Sequence, residues 1–196
     1  MTLISEAIRA ELVHAYSAPD RHYHSLGHIE ALFGLMRDNL TFLSDPVAVE
    51  AAVWFHDAIY DTHRNDNEAR SADLARERLS GRAAAEQMER IAAMISATAN
   101  HALPSFPDGR AASDCALFLD MDLAILASPA APFAAYEAAV RREYGWVPEP
   151  MWIAGRRRVL EGFLARPNIY ASPQFRSRCE AAARQNLVQA LAALVG

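Results

Sequence analysis

The sequence predicts an all-α fold, a single-domain helical bundle over residues 1–196. Apolar residues recur every three to four positions in one segment after another, which is the period of an amphipathic helix. No alternating strand pattern and no hairpin turn is present in the sequence. We expect one domain because a chain of 196 residues is long enough for a single well-buried core.

The first two predicted helices lie on either side of a polar break. Residues 3–16 carry apolar side chains at a helical period, and Ser17-Ala18-Pro19-Asp20 ends the helix. The second helix is entered near His24 and continues to residue 36. His24 and His28 are four residues apart, so they share one face if the helix has already begun at His24.

The third predicted helix begins at Asp45-Pro46, because Asp is a good N-cap and Pro suits the first helical position. It runs to residue 59 and carries the adjacent residues His56 and Asp57 near its C-terminal end. A fourth helix follows over residues 66–79.

The rest of the chain is predicted to be helical except for one long loop. This loop covers residues 103–113, contains two prolines and a glycine, and is expected to be a mobile edge of any site. The remaining predicted helices lie at about 83–100, 114–126, 132–144, 149–165 and 173–194.

Composition limits the classes of function. The net charge of −5 argues against general nucleic-acid binding but allows a local basic patch that meets a small anion. The chain has two widely spaced cysteines, no signal-peptide pattern and no apolar run of membrane-spanning length. We therefore expect a soluble, cytoplasmic protein without a membrane partner.

The adjacent residues His56 and Asp57 lie in an apolar helical run, where packing alone would favour neither. Neighbouring helix positions point about 100° apart, so both side chains serve one site only if it lies between their directions. A metal ion would accept the imidazole nitrogen and the carboxylate oxygen, and it would offset the cost of burying the carboxylate. The alternative is a chance dipeptide with a purely structural role.

Other polar residues on apolar helices extend this pattern. His24, with His28 as the alternative, precedes the pair, and Asp120 and Asp122 follow it on a later helix. Metal sites in helical bundles are commonly built from inward-facing side chains on neighbouring helices. Imidazole and carboxylate ligands together suit a divalent cation such as Mn²⁺, Mg²⁺, Fe²⁺ or Zn²⁺.

These residues resemble, in order and in approximate spacing, the metal ligands of the HD superfamily of metal-dependent phosphohydrolases. The motifs are Arg21-x-x-His24, the pair His56-Asp57, and Asp122 followed by a leucine, and the resemblance spans residues 20–127. It implies an HD-type helical domain with His24, His56, Asp57 and Asp122 as metal ligands, on which the C-terminal helices at about 132–195 pack.

One position departs from the pattern of the guanosine polyphosphate hydrolases in this superfamily. Those enzymes have Glu-Asp two residues after the pair, and this chain has Tyr60-Asp61. A closer resemblance is to a bacterial group of predicted HD phosphohydrolases. The shared patterns cover Tyr23 to His28, Phe55 to Asp57 and Asp66 to Glu68.

Two carboxylates after the pair are candidate catalytic groups together with Asp57. Asp61 and Glu68 are placed to hold or activate the attacking water as a general base. For Glu68 the alternative is a first-turn carboxylate that stabilises its own helix.

Basic residues near the motifs are candidates for substrate binding. Arg21 is expected to contact phosphate or to support the site. His28 is expected to act as a metal ligand, as a partner of a ligand or as a phosphate contact, with a satisfied core histidine as the alternative. His101 is expected to contact phosphate or a second metal, with a cation at a helix C-terminus as the alternative. The other basic residues are concentrated in the C-terminal helices and are expected to form mostly solvated faces: Arg141, Arg142, Arg156, Arg157 and Arg158.

The sequence thus predicts a metal-dependent phosphohydrolase in which metal-activated water attacks a small phosphate ester or anhydride, with a nucleotide among the candidate substrates. The alternative is a non-catalytic regulatory module of the same fold that binds a metal or a nucleotide. The Ala-rich C-terminal helix offers apolar surface for a homodimer.

Overall fold

The computed structural model describes residues 2–194 and confirms the all-α fold. Over these residues the chain forms nine α-helices, two short 3-10 helices at Leu40–Phe42 and Leu123–Ala127, and no β-strand. The α-helices are α1 Glu6–Tyr16, α2 Leu26–Asp38, α3 Pro46–Phe55, α4 Asn67–Arg78, α5 Ala85–Ala97, α6 Gly109–Asp122, α7 Ala130–Glu143, α8 Glu149–Leu164 and α9 Pro173–Ala193.

The contacts within the chain divide it into two compact units. The first ends at Met121 and contains α1 to α5 with nearly all of α6, and the second begins at Asp122 and contains α7 to α9. The boundary falls one residue before the end of α6. The single domain over residues 1–196 stays a prediction.

Helix α3 organises the first unit, because seven of its ten residues are buried and it packs against α2, α4 and α5. Its start is fixed by the predicted signal: Asp45 caps the helix by accepting a hydrogen bond from the N–H of Ala48 at 3.0 Å. The buried carboxylate of Asp114 on α6 accepts the backbone N–H groups of Ser44 and Asp45 at 2.8 Å each. Helix α6 is thereby attached to the start of α3.

We predict that Asp45 makes the protein sensitive to acid. Burial acts to raise the pKa of this carboxyl group, but hydrogen bonds from Gln87, Ala48 and Arg90 outweigh it, and the pKa lies below its ordinary value. The ionised form therefore stabilises the fold above the unfolded-state pKa of about 3.9, and this contribution is lost as the pH falls through the folded-state pKa. Asp45→Asn, which keeps an N-cap side chain, should show a shallower loss of stability between about pH 4 and pH 2. Thermal unfolding across pH 2–7 measures this difference, and identical acid profiles would contradict the prediction.

Two predicted boundaries are wrong, and a third that the sequence left open is now fixed. Helix α3 ends at Phe55 rather than residue 59, so the His-Asp pair lies at the end of the helix and not within it. Helix α2 begins at Leu26, so His24 precedes the helix and does not share a helical face with His28. The loop predicted over residues 103–113 is shorter, because Asp108 accepts the N–H of Arg110 at 3.0 Å and α6 begins at Gly109.

The second unit is organised by α9, which packs against α8 and against the 3-10 helix Leu123–Ala127. The side chain of Asn186 on α9 donates to the carbonyl oxygens of Leu126 and Ser128 at 2.8 Å each. The hydroxyl of buried Tyr170 donates to the carbonyl of Leu123 at 3.1 Å. These bonds engage backbone carbonyls at the start of the short helix, near its end and just beyond it.

Arg156 is an exception to the predicted solvated basic face. Only 7% of it is exposed, and its Nε donates to Glu137 Oε2 at 3.1 Å while its Nη2 donates to Glu137 Oε1 and to the Tyr136 hydroxyl. Burial raises the pKa of the Tyr136 phenol, so this group stays neutral and hydrogen-bonding. Arg158, by contrast, is exposed as predicted.

Among the described residues, no single helix has both the length and the apolar composition needed to cross a membrane; one bent pair, Gly109–Ala127 with Ala130–Glu143, reaches both only when its two parts are added together.

Candidate metal centre

The candidate site begins with the way α3 ends. The last four carbonyls of a helix have no partner in the regular helical hydrogen-bond pattern. They accept instead from side chains or from backbone N–H groups of the residues that follow. In α3, two of these carbonyls accept backbone N–H groups from the residues that follow. The other two accept side chains: His56 Nδ1 contacts the Val53 carbonyl at 3.0 Å, and the Tyr16 hydroxyl donates to the Trp54 carbonyl at 3.0 Å. The chain then turns out of the helix with every terminal carbonyl satisfied.

The contact with Val53 assigns the tautomer of His56. A carbonyl oxygen only accepts, so Nδ1 carries the proton and donates it. The other ring nitrogen, Nε2, then presents its lone pair in the neutral imidazole. A backbone carbonyl that orients a histidine in this way is the usual partner behind a metal-binding imidazole.

Two further atoms that can bind a metal ion lie close to Nε2 of His56. Nε2 of His28 lies 3.3 Å away, and Oδ2 of Asp57 lies 3.1 Å away. An Nε2 lone pair and a carboxylate oxygen both accept hydrogen bonds, so a cation, either a proton or a metal ion, must be shared between them. Atoms bound to one zinc-sized ion at about 2.0–2.1 Å lie roughly 2.9–3.4 Å from each other, which matches both distances.

A carboxylate on α6 completes the group. His28, His56 and Asp122 each offer a ligand atom, and these three atoms lie within 4.8 Å of one another. The group can hold a metal ion, with Asp57 beside it through its contact with His56. The two imidazoles and the Asp122 carboxylate form a mixed nitrogen and oxygen donor set that suits Zn²⁺, Fe²⁺ or Mn²⁺.

Three helices place these ligand atoms. His28 lies in the first turn of α2, His56 is the C-cap of α3, and Asp122 is the last residue of α6. The residues of α6 that precede Asp122 belong to the first unit, so this helix brings the carboxylate to the site. The edge of the Phe118 ring packs on His56, with ring centroids 5.8 Å apart and planes at 82°.

Exposure differs between the two sides of the group. His56 is 1% exposed and His28 is 8% exposed, whereas 15% of the Asp57 side chain is exposed and Asp122 is half-buried. The imidazoles therefore lie on the protein side of the group. The two carboxylates are the less deeply buried members.

His24, the predicted first ligand, lies next to the group rather than in it. Its ring centroid is 6.2 Å from that of His28 and 4.4 Å from that of Tyr60, on which it packs at 31°. The histidine within 3.3 Å of His56 is His28, which the sequence left open as a ligand. The role of His24 as a ligand stays a prediction.

Arg21 uses its guanidinium on backbone carbonyls. Nη1 donates to the carbonyls of His24 at 3.0 Å and of Asp57 at 2.7 Å, and Nη2 donates to that of Ala58 at 3.0 Å. Of the two roles expected from the sequence, phosphate contact and support of the site, these contacts favour support.

The remaining predicted residues have local structural contacts. Asp61 is exposed, and its Oδ1 accepts the N–H of His63 at 2.9 Å in the turn before α4. Glu68 is a half-buried residue in the first turn of α4, where a carboxylate favours the helix. His101 has a positive φ of 49° and donates its N–H to the Ala97 carbonyl at 2.8 Å, which ends α5. Their catalytic and substrate-binding roles stay predictions.

Sequence reasoning missed Tyr16, which it treated only as the end of the first helix. This residue is 1% exposed, and its hydroxyl both donates to Trp54 and accepts the N–H of Asp57 at 3.3 Å. A tyrosine on the apolar face of a helix indicates that its hydroxyl needs a buried partner. The sequence gives no signal that the partner lies 38 residues away at the end of α3.

No protein-family model, no curated protein and no solved structure matches this chain.

Proposed function

We propose that the chain is a metal-dependent phosphohydrolase of the HD superfamily that acts on a small phosphate ester or anhydride. The observation that supports this most strongly is that two buried imidazoles, His28 and His56, and the Asp122 carboxylate offer ligand atoms within 4.8 Å of one another. His56 Nε2 lies 3.3 Å from His28 Nε2, and the carboxylate of Asp57 lies 3.1 Å from the same atom. Burying such groups together without a cation would be costly. The order of the motifs along the chain adds the resemblance to HD phosphohydrolases.

A divalent cation held by His28, His56, Asp57 and Asp122 would lower the pKa of a water and neutralise phosphoryl charge. The chain's own residues supply the rest. His56, fixed by its hydrogen bond to Val53, keeps a lone pair directed at the site. The more exposed carboxylate side, at Asp57 and Asp122, would admit the phosphate.

A water nucleophile fits this unit better than a cysteine. Burial raises the pKa of the Cys115 thiol on α6 to about 12, so its thiolate is not populated near neutral pH. The Cys115 thiol is therefore not the nucleophile of the proposed reaction, and we propose that water is.

A specific observation also favours the alternative, a non-catalytic module that binds a metal or a nucleotide. Tyr60, which stands where guanosine polyphosphate hydrolases have a glutamate, packs on His24 and lies under the Arg21 guanidinium at 5.3 Å. The position is thus filled by a structural aromatic residue, and the adjacent Asp61 carboxylate holds a turn.

The test of the proposed function is metal content followed by phosphate release. Protein as purified, and protein reloaded with Mn²⁺, Mg²⁺, Fe²⁺ or Zn²⁺, would be assayed on nucleoside mono-, di- and triphosphates, sugar phosphates and an activated phosphodiester. We expect about stoichiometric metal and release that disappears in Asp57→Asn, which removes a ligand charge but keeps the shape of the side chain. Bound metal without release from any compound would instead favour the regulatory module.

A further inference from the structure

Arg21 lies between the two segments that carry the candidate ligands. It precedes α2, which bears His28, and its guanidinium reaches the residues just after α3, which bears His56. The same Nη1 atom donates to the His24 carbonyl on one side and to the Asp57 carbonyl on the other. The planar guanidinium thus links the residues just before α2 to the residues just after α3.

Two aromatic rings lie against the Arg21 guanidinium. Its central carbon lies 4.9 Å from the centroid of the Tyr16 ring and 5.3 Å from that of the Tyr60 ring. A planar cation over aromatic faces is favoured electrostatically and by stacking. Tyr60 packs in turn on His24, so the arrangement continues to the start of α2.

The backbone of Asp57 is fixed at both of its polar groups. Its carbonyl accepts from Arg21 at 2.7 Å, and its N–H donates to the Tyr16 hydroxyl at 3.3 Å. Asp57 follows the C-cap of α3, where the helix no longer constrains the chain. The direction of its carboxylate toward His56 therefore depends on two side chains from outside α3.

We infer that Arg21 and Tyr16 are positioning residues of the metal centre. They hold the Asp57 carboxylate close to His56, so that both side chains can bind the same cation. They also fix the end of α3 against the residues that precede α2. This inference rests on the proposed function, because it assumes that Asp57 and His28 serve a bound cation. In this role both residues act through the backbone of Asp57 and the end of α3, and not as metal ligands.

The test compares Arg21→Lys with Arg184→Lys. Lysine keeps the positive charge but cannot donate from two nitrogens in one plane or stack between two rings. Arg184 is a matched control in the second unit, because its Nη1 and Nη2 also donate to three backbone carbonyls, those of Leu164, Arg166 and Pro167. Both variants lose a comparable set of bonds, and only Arg21 lies beside the candidate centre.

The first measurement needs no metal. In the metal-free protein, amide hydrogen exchange over residues 57–60 should become about fivefold or more faster in Arg21→Lys and stay unchanged in Arg184→Lys. Tyr16→Phe should likewise make exchange of the Asp57 N–H faster, because this substitution removes the hydroxyl that accepts it. Unchanged exchange in Arg21→Lys would overturn the inference, whatever the protein's activity.

The second measurement is affinity for Zn²⁺ and Co²⁺ by competition with a chelator, with the visible spectrum of the Co²⁺ form as a signature of its ligand geometry. We expect affinity to fall about 10- to 100-fold and the spectrum to change in Arg21→Lys, with neither change in Arg184→Lys. Faster exchange with unaltered affinity would make Arg21 merely structural and would overturn the inference. Absence of metal binding in the unsubstituted protein would overturn the proposed function itself, along with the positioning role derived from it.

Discussion

His56→Ala is expected to abolish metal binding, with affinity falling by more than about 100-fold. Substituting a residue that only supports a metal ligand already lowers metal affinity by about 10- to 100-fold. His56 is a proposed ligand itself, and both His28 and Asp57 lie close to its Nε2 atom. The variant also loses the hydrogen bond to the Val53 carbonyl, so the free energy of unfolding should fall by about 1–3 kcal/mol. Metal content after dialysis and the rise in melting temperature on adding Zn²⁺ measure the effect, since a bound metal stabilises the folded state.

The matched comparison uses the two histidines near the start of α2. His28→Ala should lose metal as His56→Ala does, because His28 Nε2 lies within 3.3 Å of His56 Nε2. His24→Ala should keep it, because that ring packs on Tyr60 beside the group. Stoichiometric metal in His56→Ala would show that the centre described above is not the metal site. Loss in His24→Ala with retention in His28→Ala would restore the ligand expected from the HD resemblance.

Glu137→Ala is expected to cause the largest loss of stability, about 3 kcal/mol in the unfolding of the second unit. Removing one partner of a buried ion pair leaves the other charge uncompensated, which costs about 3–5 kcal/mol. The low end applies because 22% of the Glu137 side chain is exposed, while Arg156 is 7% exposed. The Tyr136 hydroxyl alone cannot replace the two carboxylate contacts of the guanidinium.

Urea unfolding followed by fluorescence and by circular dichroism would measure this loss. Asp73→Ala serves as the control, since its ion pair with Arg76 joins side chains that are 75% and 42% exposed and should contribute less than about 1 kcal/mol. The double variant Glu137→Ala/Arg156→Met should recover much of the loss, because it no longer buries an unpaired charge. A loss from Glu137→Ala no larger than that from Asp73→Ala would contradict the account of Arg156 as a buried, paired cation.

Several parts of the fold could be predicted because their cause is local. Asp45-Pro46 starts α3 as expected, since the N-cap and the proline act on adjacent backbone groups. The apolar period of each segment likewise predicts a helix from the spacing of its own residues. His56 and Asp122, which the structure places in one candidate group, were also singled out by the sequence, because polar groups on apolar segments need a partner. The role of Asp57 as a ligand stays a prediction.

Other parts depend on contacts that the local pattern does not contain. The apolar run that opens α3 continues beyond Phe55, yet the helix ends there, because Tyr16 and Arg21 satisfy carbonyls and fix the chain from 36 to 38 residues away. The Asp108 cap, which shortens the predicted loop before α6, is a local signal that the prolines around it obscured.

By itself, the sequence determined that the chain is helical, where most helices start, and which polar residues are too costly to bury without a partner. Only the tertiary structure decided that His28 rather than His24 lies beside His56, that Arg21 donates to carbonyls near the site, and that Arg156 is buried against Glu137. The physical reason is the distance along the chain over which each interaction acts. Helix propensity and capping act within a turn of the chain, whereas the position of a side chain in a site depends on which distant residues fill the space and the hydrogen bonds around it.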